Sequence, residues 1–516
     1  MKQKLLKNVT MLRGDNLELV HSGIIEINEF GIIENISNKN VVEFRNQNRK
    51  INDQIEVIDA EGFIILPGFI NSHIHIGDSI GKDISSDKDL NARVHPHHSI
   101  KKTILDKTPR SQLIQMISNT AISMIKKGIT TFVDFREGGV QGVGLLEIAL
   151  NSSPINRIIL GRIDLNPKLP PQHLAKSATI NSQSFAQKTK GNEKPKTPNE
   201  SIKPSAQMLK HNSKSKKNKD IYIINARTGQ KGPCTDLEVI LLDEDEQNEN
   251  KGQDEIILKS YFIKSGESIL KKSHGFGISG ANENSDKMLS WYNEIVARQK
   301  SKKTKKAVNQ GTNEISVPLI AIHAAESKSA VEESMKRYGA TEIQRTLKLL
   351  NPDIYVHVTN ANDMELELLS RNKKKIIVCP RANGVLGAGL SPIKKMLELH
   401  FELGIGTDNV MLNSPDMFRE MDFLLKSQRA LEKDTHFINA KDVLKMATVN
   451  GGKIFGIGRG CIEQGYKADL VLIDRYDLDL YPLFDPYTSI VTRCSEKHIK
   501  GVMINGELVL EKTVIK

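Results

Sequence analysis

The chain has 516 residues, 38% hydrophobic and 26% charged, with a mean hydropathy of −0.36. That length exceeds one ordinary domain, and no apolar run approaches the roughly 18 residues needed to span a bilayer. The net charge of +11 suggests nucleic acid, but residues 165–220 hold twelve Lys against three Asp or Glu, so the excess sits in one polar segment. A basic face on the folded body is therefore not expected, and nucleic acid is not an expected partner. The expected partner is a small-molecule substrate, with no membrane and with further copies of the chain in a homo-oligomer. Residues 1–8 lack the continuous apolar core of a signal peptide. Cys234, Cys379, Cys461 and Cys494 form no C-x-x-C pair, so a reducing, cytoplasmic setting is expected.

In chain order, residues 1–64 read as short β-rich runs separated by Gly, Asn and Asp. Pro67-Gly68 is a turn, and residues 69–75 read as a buried strand in which His73 and His75 project from one face. Residues 78–110 are loop-rich, and His95, His97 and His98 are expected on a solvated loop near the mouth of a site. Residues 111–127 carry Leu113, Ile114, Ile117, Ala121 and Ile125 at helical spacing. Strands at 128–135 and 156–162 flank a helix at 145–150, the rhythm of a parallel α/β fold. That rhythm stops at about residue 165. The stretch to about residue 220 is Lys-, Ser-, Asn- and Pro-rich, with no apolar period. Residues 221–265 regain apolar runs, either as a subdomain or as a longer loop. The rhythm resumes at 275–280 and continues, after a lysine-rich loop, through strands at 317–323, 354–358, 376–379 and 400–408. Counting from Phe69 gives eight strands, the number of a (β/α)8 TIM barrel. Residues 467–474 and 502–510 are strands again.

Polar residues fall at the C-terminal ends of four of these strands: His73 and His75 on the first, His323 on the fifth, His357 on the sixth and Asp408 on the eighth. Barrel enzymes keep their active sites at that end. Three imidazoles and a carboxylate with one open position describe a hydrolytic site for zinc or a similar divalent ion.

The string Pro67-Gly68-Phe69-Ile70-Asn71 ahead of His73-Ile74-His75 resembles the first barrel strand of the amidohydrolase superfamily, and the likeness extends over residues 1–164 and 265–516. It implies a β-sandwich built from residues 1–66 and 456–516. It also implies a barrel over 67–455, interrupted by a polar insertion at about 165–265 and a basic loop at 299–312. The metal ligands implied are His73, His75, His323 and Asp408, holding one divalent ion, zinc or alternatively iron(II). His357 resembles the histidine that contacts water or substrate. Binuclear relatives bridge their metals with a fourth-strand lysine, and Ser273-His274-Gly275-Phe276-Gly277-Ile278 has none. The H-x-x-E of His323 and Glu326 resembles that of cytosine, adenosine and S-adenosylhomocysteine deaminases, where the glutamate moves a proton to a ring nitrogen. Glu326 is equally placed to cap the next helix. Cys379-Pro380-Arg381-Ala382-Asn383 resembles the seventh-strand segment bordering substrate. Arg381 and Asn383 are then candidate substrate contacts, with an internal ion pair the alternative for Arg381.

The resulting expectation is hydrolytic deamination of a purine, pyrimidine or related heterocycle, with Glu326, His357 and Asp408 catalytic. The alternatives are hydrolysis of a cyclic amide at the same centre, or an inactive barrel serving as a binding protein.

Overall fold

The computed structural model describes residues 2–37, 55–84, 86–96, 99–164, 222–224, 231–233, 251–303 and 317–511. His97, His98, most of the polar insertion and residues 304–316 of the basic region lie outside the described residues. Two compact units are present, Met1–Asp164 with Phe262–Lys516, and Leu165–Tyr261.

In the first unit, β1 (Gln3–Arg13), β2 (Glu18–Ile27), β3 (Ile33–Ser37), β4 (Ile55–Asp59) and β5 (Phe63–Pro67) come from the start of the chain. They join β17 (Leu470–Asp474), β18 (Ile499–Ile504) and β19 (Glu507–Glu511) in one mixed sheet of order β19-β18-β17-β5-β1-β2-β3, with β4 on β1. Leu6, Met11 and Ile25 from one end of the chain share its core with Leu470, Leu472 and Met503 from the other. Burial of this set, rather than any local preference, brings the two ends together.

The barrel consists of β6 (Phe69–His75), β7 (Ile129–Arg136), β8 (Asn156–Gly161), β11 (Gly275–Ile278), β12 (Leu319–Ala324), β13 (Ile354–His357), β14 (Lys375–Val378) and a last pass split into β15 (Leu403–Ile405) and β16 (Asp408–Asn409). All neighbours are parallel. β15 pairs with β14 and β16 pairs with β6, so the eight passes close. All seven residues of β6 and all eight of β7 are buried, because a closed parallel sheet covered by helices has no solvated face. Helices between the strands start on local signals. Asn362 with Glu365 and Thr341 with Gln344 form capping boxes for the helices Asp363–Arg371 and Glu342–Leu349.

Residues 78–110, expected to be loop-rich, contain a 3-10 turn at Ile76–Gly81 and helices at Leu90–Val94 and Ile100–Lys107. The two helices carry little apolar periodicity, but side chains of Asp89 and Ser99 cap their starts. A helix at Lys251–Leu270 covers part of the stretch whose structure the sequence left open, and Phe262 packs edge-on against Trp291 and Tyr292. In the second unit β9 (Tyr222–Ile224) and β10 (Lys231–Pro233) form an antiparallel pair. Among the described residues no helix is long and apolar enough to cross a membrane.

Candidate metal centre

The period of β6 sends His73 and His75 into the barrel at the C-terminal end of its first strand, and β12, β13 and β16 bring His323, His357 and Asp408 to the same place. His323 Nε2 lies 3.1 Å from His73 Nε2 and 3.3 Å from His75 Nε2. Asp408 Oδ1 lies 3.3 Å from His73 Nε2 and 3.5 Å from His75 Nε2. One donor atom each from His73, His323, His357 and Asp408 falls within 4.8 Å of the others. Ligands at 2.0–2.1 Å from a tetrahedral zinc are about 3.3 Å apart, and four of these spacings fall around that value.

The protonation pattern points the same way. His75 Nδ1 is 3.1 Å from the Phe135 carbonyl and His323 Nδ1 is 2.9 Å from the Ile278 carbonyl. A carbonyl only accepts, so both Nδ1 atoms carry the proton and both Nε2 atoms present lone pairs to the centre. Two buried lone pairs 3.3 Å apart repel unless a cation sits between them. These residues therefore fit a divalent ion on their own chemistry. Burial lowers the basicity of His73, and takes His75 and His323 well below the ordinary imidazole value. Burial pushes the Asp408 carboxyl upward, but the His73 hydrogen bond and the surrounding imidazoles outweigh it, and the carboxyl stays well below its ordinary value.

Backbone strain gathers here. Ala325, His357, Val358 and Asp408 all have positive φ, at 50°, 70°, 51° and 61°. For a β-branched residue such as Val358 this conformation is costly, and it persists only where packing on all sides enforces it.

His357 Nδ1 donates to Asn383 Oδ1 at 2.9 Å, Asn383 Nδ2 donates to Thr359 Oγ1 at 2.8 Å, and His357 Nε2 is buried with no hydrogen-bond partner. Asn383 is thus fully buried behind His357 rather than open to a ligand. Glu326 Oε1 stands 3.7 Å from His357 Nε2 on a side chain 17% exposed. The following helix, Lys328–Tyr338, is capped by Ser327, whose hydroxyl accepts from Ala330 N, so the carboxylate of Glu326 is not needed there. Arg381 reaches Glu420 at 3.4 Å, the Ser414 carbonyl at 3.2 Å and Asn413 Oδ1 at 3.1 Å, all within the chain. His95 lines a cavity together with His323 and Glu326, at the mouth where its loop was expected.

Sequence reasoning missed a buried charged layer outside the donors. Lys101 Nζ lies 2.5 Å from Glu137 Oε1 and 3.3 Å from Asp78 Oδ2. Glu137 Oε1 is 3.6 Å from His75 Nδ1, and Asp78 accepts from Asn409 Nδ2 at 2.7 Å, next to Asp408. Burial alone would raise Glu137, but Lys101, Arg136 and Arg162 bring it down to about 2. Asp78 and Glu137 follow the ends of β6 and β7 by one to three residues, a signal that strand-end logic could have used. Lys101 lay in a stretch with no such marker.

The sequence profile of the Amidohydrolase family matches residues 64–509. A protein of Methanothermobacter thermautotrophicus, provisionally named an aminohydrolase, is 28% identical over 509 residues, 99% of this chain and 100% of that one. An uncharacterized protein of Methanocaldococcus jannaschii is 30% identical over 444 residues, 86% of each chain. The 5-methylthioadenosine/S-adenosylhomocysteine deaminase of Pyrococcus furiosus is 34% identical over 209 residues, 40% of this chain and 50% of that one. Among solved structures, an adenosine deaminase from Xanthomonas campestris with bound zinc superposes with a TM-score of 0.70 at 16% identity, covering 99% of this chain and 94% of the other. A zinc complex of atrazine chlorohydrolase from Arthrobacter aurescens gives 0.67 at 14% identity, covering 98% and 95%.

Proposed function

The chain belongs to the amidohydrolase family, and on that premise we propose that it is a metal-dependent hydrolase of carbon–nitrogen bonds that deaminates an aminated heterocycle. In this reading His73, His75, His323 and Asp408 hold one divalent ion, zinc by the character of three imidazoles and a carboxylate. When bound, such an ion acts as a Lewis acid that makes a water acidic near neutral pH. Asp408 would serve as the proton acceptor for the attacking water, and His357 Nε2, whose lone pair is left free by the bond from Nδ1 to Asn383, would orient that water. Glu326 delivers a proton to the ring nitrogen beside the amino-bearing carbon as that carbon gains oxygen. The proton held on Asp408 would then pass to the departing amine, and the remaining hydroxyl proton would return to Glu326 as the carbonyl forms, so that water and amine become carbonyl and ammonia with both carboxyl groups restored.

The observation that carries this reading is Glu326. Its carboxyl group stands 3.7 Å from His357 Nε2, three residues after His323, and Ser327 does the capping that would otherwise occupy it. Burial and the nearby Asp408 and Glu283 charges raise it well above the ordinary carboxyl value, which favours the protonated form that can donate. The deaminases among the relatives support the same choice. The test is purification with metal quantification, then ammonia release from a panel of aminated purines, pyrimidines and triazines. Glu326→Gln is expected to keep the metal and to lose about 10²- to 10⁴-fold in kcat. Full activity in that variant would sink the proton-transfer role, and hydrolysis without ammonia would move the assignment to a cyclic amide. Stoichiometric metal lost in a His73→Ala, His75→Ala double variant is also expected, and a metal-free native protein would favour a binding role.

A further inference from the structure

A cavity of about 190 Å³ opens beside His323 and Glu326, between the ends of β11 and β12 and the segment carrying Leu90 and His95. Its wall is rich in acceptors. Four carboxyl groups line it, from Glu283, Glu326, Glu333 and Glu342, against one guanidinium, Arg337, which pairs with Glu333 at 2.9 Å. Glu283 Oε2 is buried and has no hydrogen-bond partner. Asn282, 8% exposed and on the same wall, donates through Nδ2 to the Ala330 carbonyl and leaves Oδ1 without a partner. A Cβ at Gly280 would fall 2.3 Å from Glu283 Oε2, so the missing side chain at the end of the fourth barrel strand makes room for that carboxylate. Buried acceptor oxygens left unpaired cost free energy that a hydrogen-bond donor, best a charged one, recovers.

A bare divalent ion does not fit. Calcium takes six to eight oxygens at 2.3–2.6 Å. The potential ligand atoms that converge among the described residues are those of the His73 group and of Asp477, Asp479 and His498, and neither group contains Glu283, Glu333 or Glu342. Acceptors spread over a cavity wall suit instead several N–H donors on an extended frame.

We propose that this cavity receives a cationic arm of the substrate, an ammonium or guanidinium group borne by the aminated ring whose reacting carbon lies at the adjoining centre. The assignment rests on the deaminase reading of that centre, and it narrows the substrate class to heterocycles with a basic side arm. Glu283 and Asn282 would meet the arm, with Glu333 at the outer rim.

The test compares binding to the holoenzyme by calorimetry for adenine, cytosine and diaminotriazine rings, each carrying a 3-aminopropyl, a propyl or a 2-carboxyethyl arm. On at least one ring the aminopropyl compound is expected to bind at least about tenfold more tightly than the propyl compound, and the carboxyethyl compound more weakly than both. Glu283→Gln should bring the aminopropyl and propyl affinities to within about threefold, chiefly by weakening the aminopropyl compound. Gly280→Ala, which displaces that carboxylate without removing its charge, should act in the same direction. Should Glu283→Gln fail to fold, Glu333→Gln at the exposed rim is expected to cut the preference by about twofold to threefold. Equal affinity for the charged and neutral arms, a preference that survives in folded Glu283→Gln, or no binding on any of the rings overturns the proposal. Ammonia release is read in the same samples. A preference for the cationic arm without ammonia release would count against deamination and leave the cavity assignment standing.

Discussion

Lys101 sits one layer behind the candidate centre without touching it. Its ammonium is 8% exposed and lies between Glu137, beside His75, and Asp78, which holds Asn409 next to Asp408. Removing the charge leaves two buried carboxylates facing each other behind His75 and Asp408, two of the proposed donors. Lys101→Met is therefore expected to lose about 3–5 kcal/mol of stability and about 10- to 100-fold in metal affinity, with Lys101→Arg recovering part of both. Chelator competition on the folded variant is the measurement, and unchanged affinity would show that the layer is structural only. Glu342 gives a prediction of a different kind. Burial, then the charges of Glu283 and Glu326, raise its carboxyl to about 8, while its oxygen accepts from Ala325 N. The folded state keeps this proton after the unfolded chain has released it near the ordinary glutamate value of 4.5. Its contribution is thus fully present below that value, falls by up to about 1.4 kcal/mol per pH unit as pH rises, and levels off above the folded value. In Glu342→Gln, which retains an acceptor for Ala325 N, that part of the slope should vanish and the variant should gain stability on the wild type at pH 8. Denaturant titrations at several pH values check this.

Among the elements, the split last pass of the barrel matters most for the site. Gly406 separates β15 from β16, and a Cβ there would lie 2.5 Å from His73 Cβ and 2.8 Å from the His73 carbonyl oxygen. Backbone cannot yield as a long side chain does, so Gly406→Ala must push β16 off β6 and carry Asp408 with it. A cost of about 1–3 kcal/mol is expected, together with loss of bound metal out of proportion to the loss of folded protein. A variant retaining stoichiometric metal would show that the donors do not depend on the closure. The eight passes themselves were readable in the sequence, because buried parallel strands leave unbroken apolar runs such as Ile376-Ile377-Val378, and the terminal histidines stand out against them. The helix Ile100–Lys107 was not readable. Its sequence Ile-Lys-Lys-Thr-Ile-Leu-Asp-Lys has no clean apolar stripe, and its main anchor is the buried pairing of Lys101, a tertiary contact invisible at short range. The same limit hid the burial of Asn383 behind His357. The capping role left open for Glu326 turned on a one-residue difference in helix start.

Across the whole molecule the two ends of the barrel divide the work. The proposed donors, the strained residues beside them and the acidic cavity lie at the C-terminal ends of the strands, whereas the terminal sheet is fastened near their N-terminal ends by Asp469. That residue, 2% exposed, takes Arg459 at 2.5 Å, Asn505 N at 2.7 Å and Asn156 Nδ2 at 3.0 Å, and its carbonyl accepts from Gly68 N at 2.8 Å. It thereby ties residues just before β6 and at the start of β8 to the loop that turns β18 into β19. In barrels this end supports stability and the other end chemistry. Asp469→Ala strips three donors of their acceptor and leaves the partly exposed Arg459 without its partner, at a cost of about 2–4 kcal/mol. The expected outcome is a Tm lowered by several degrees with metal content and ammonia release per folded molecule unchanged. If kcat fell with the Tm in samples shown to be fully folded, the two ends would be coupled, and the separation of support from chemistry would have to be given up.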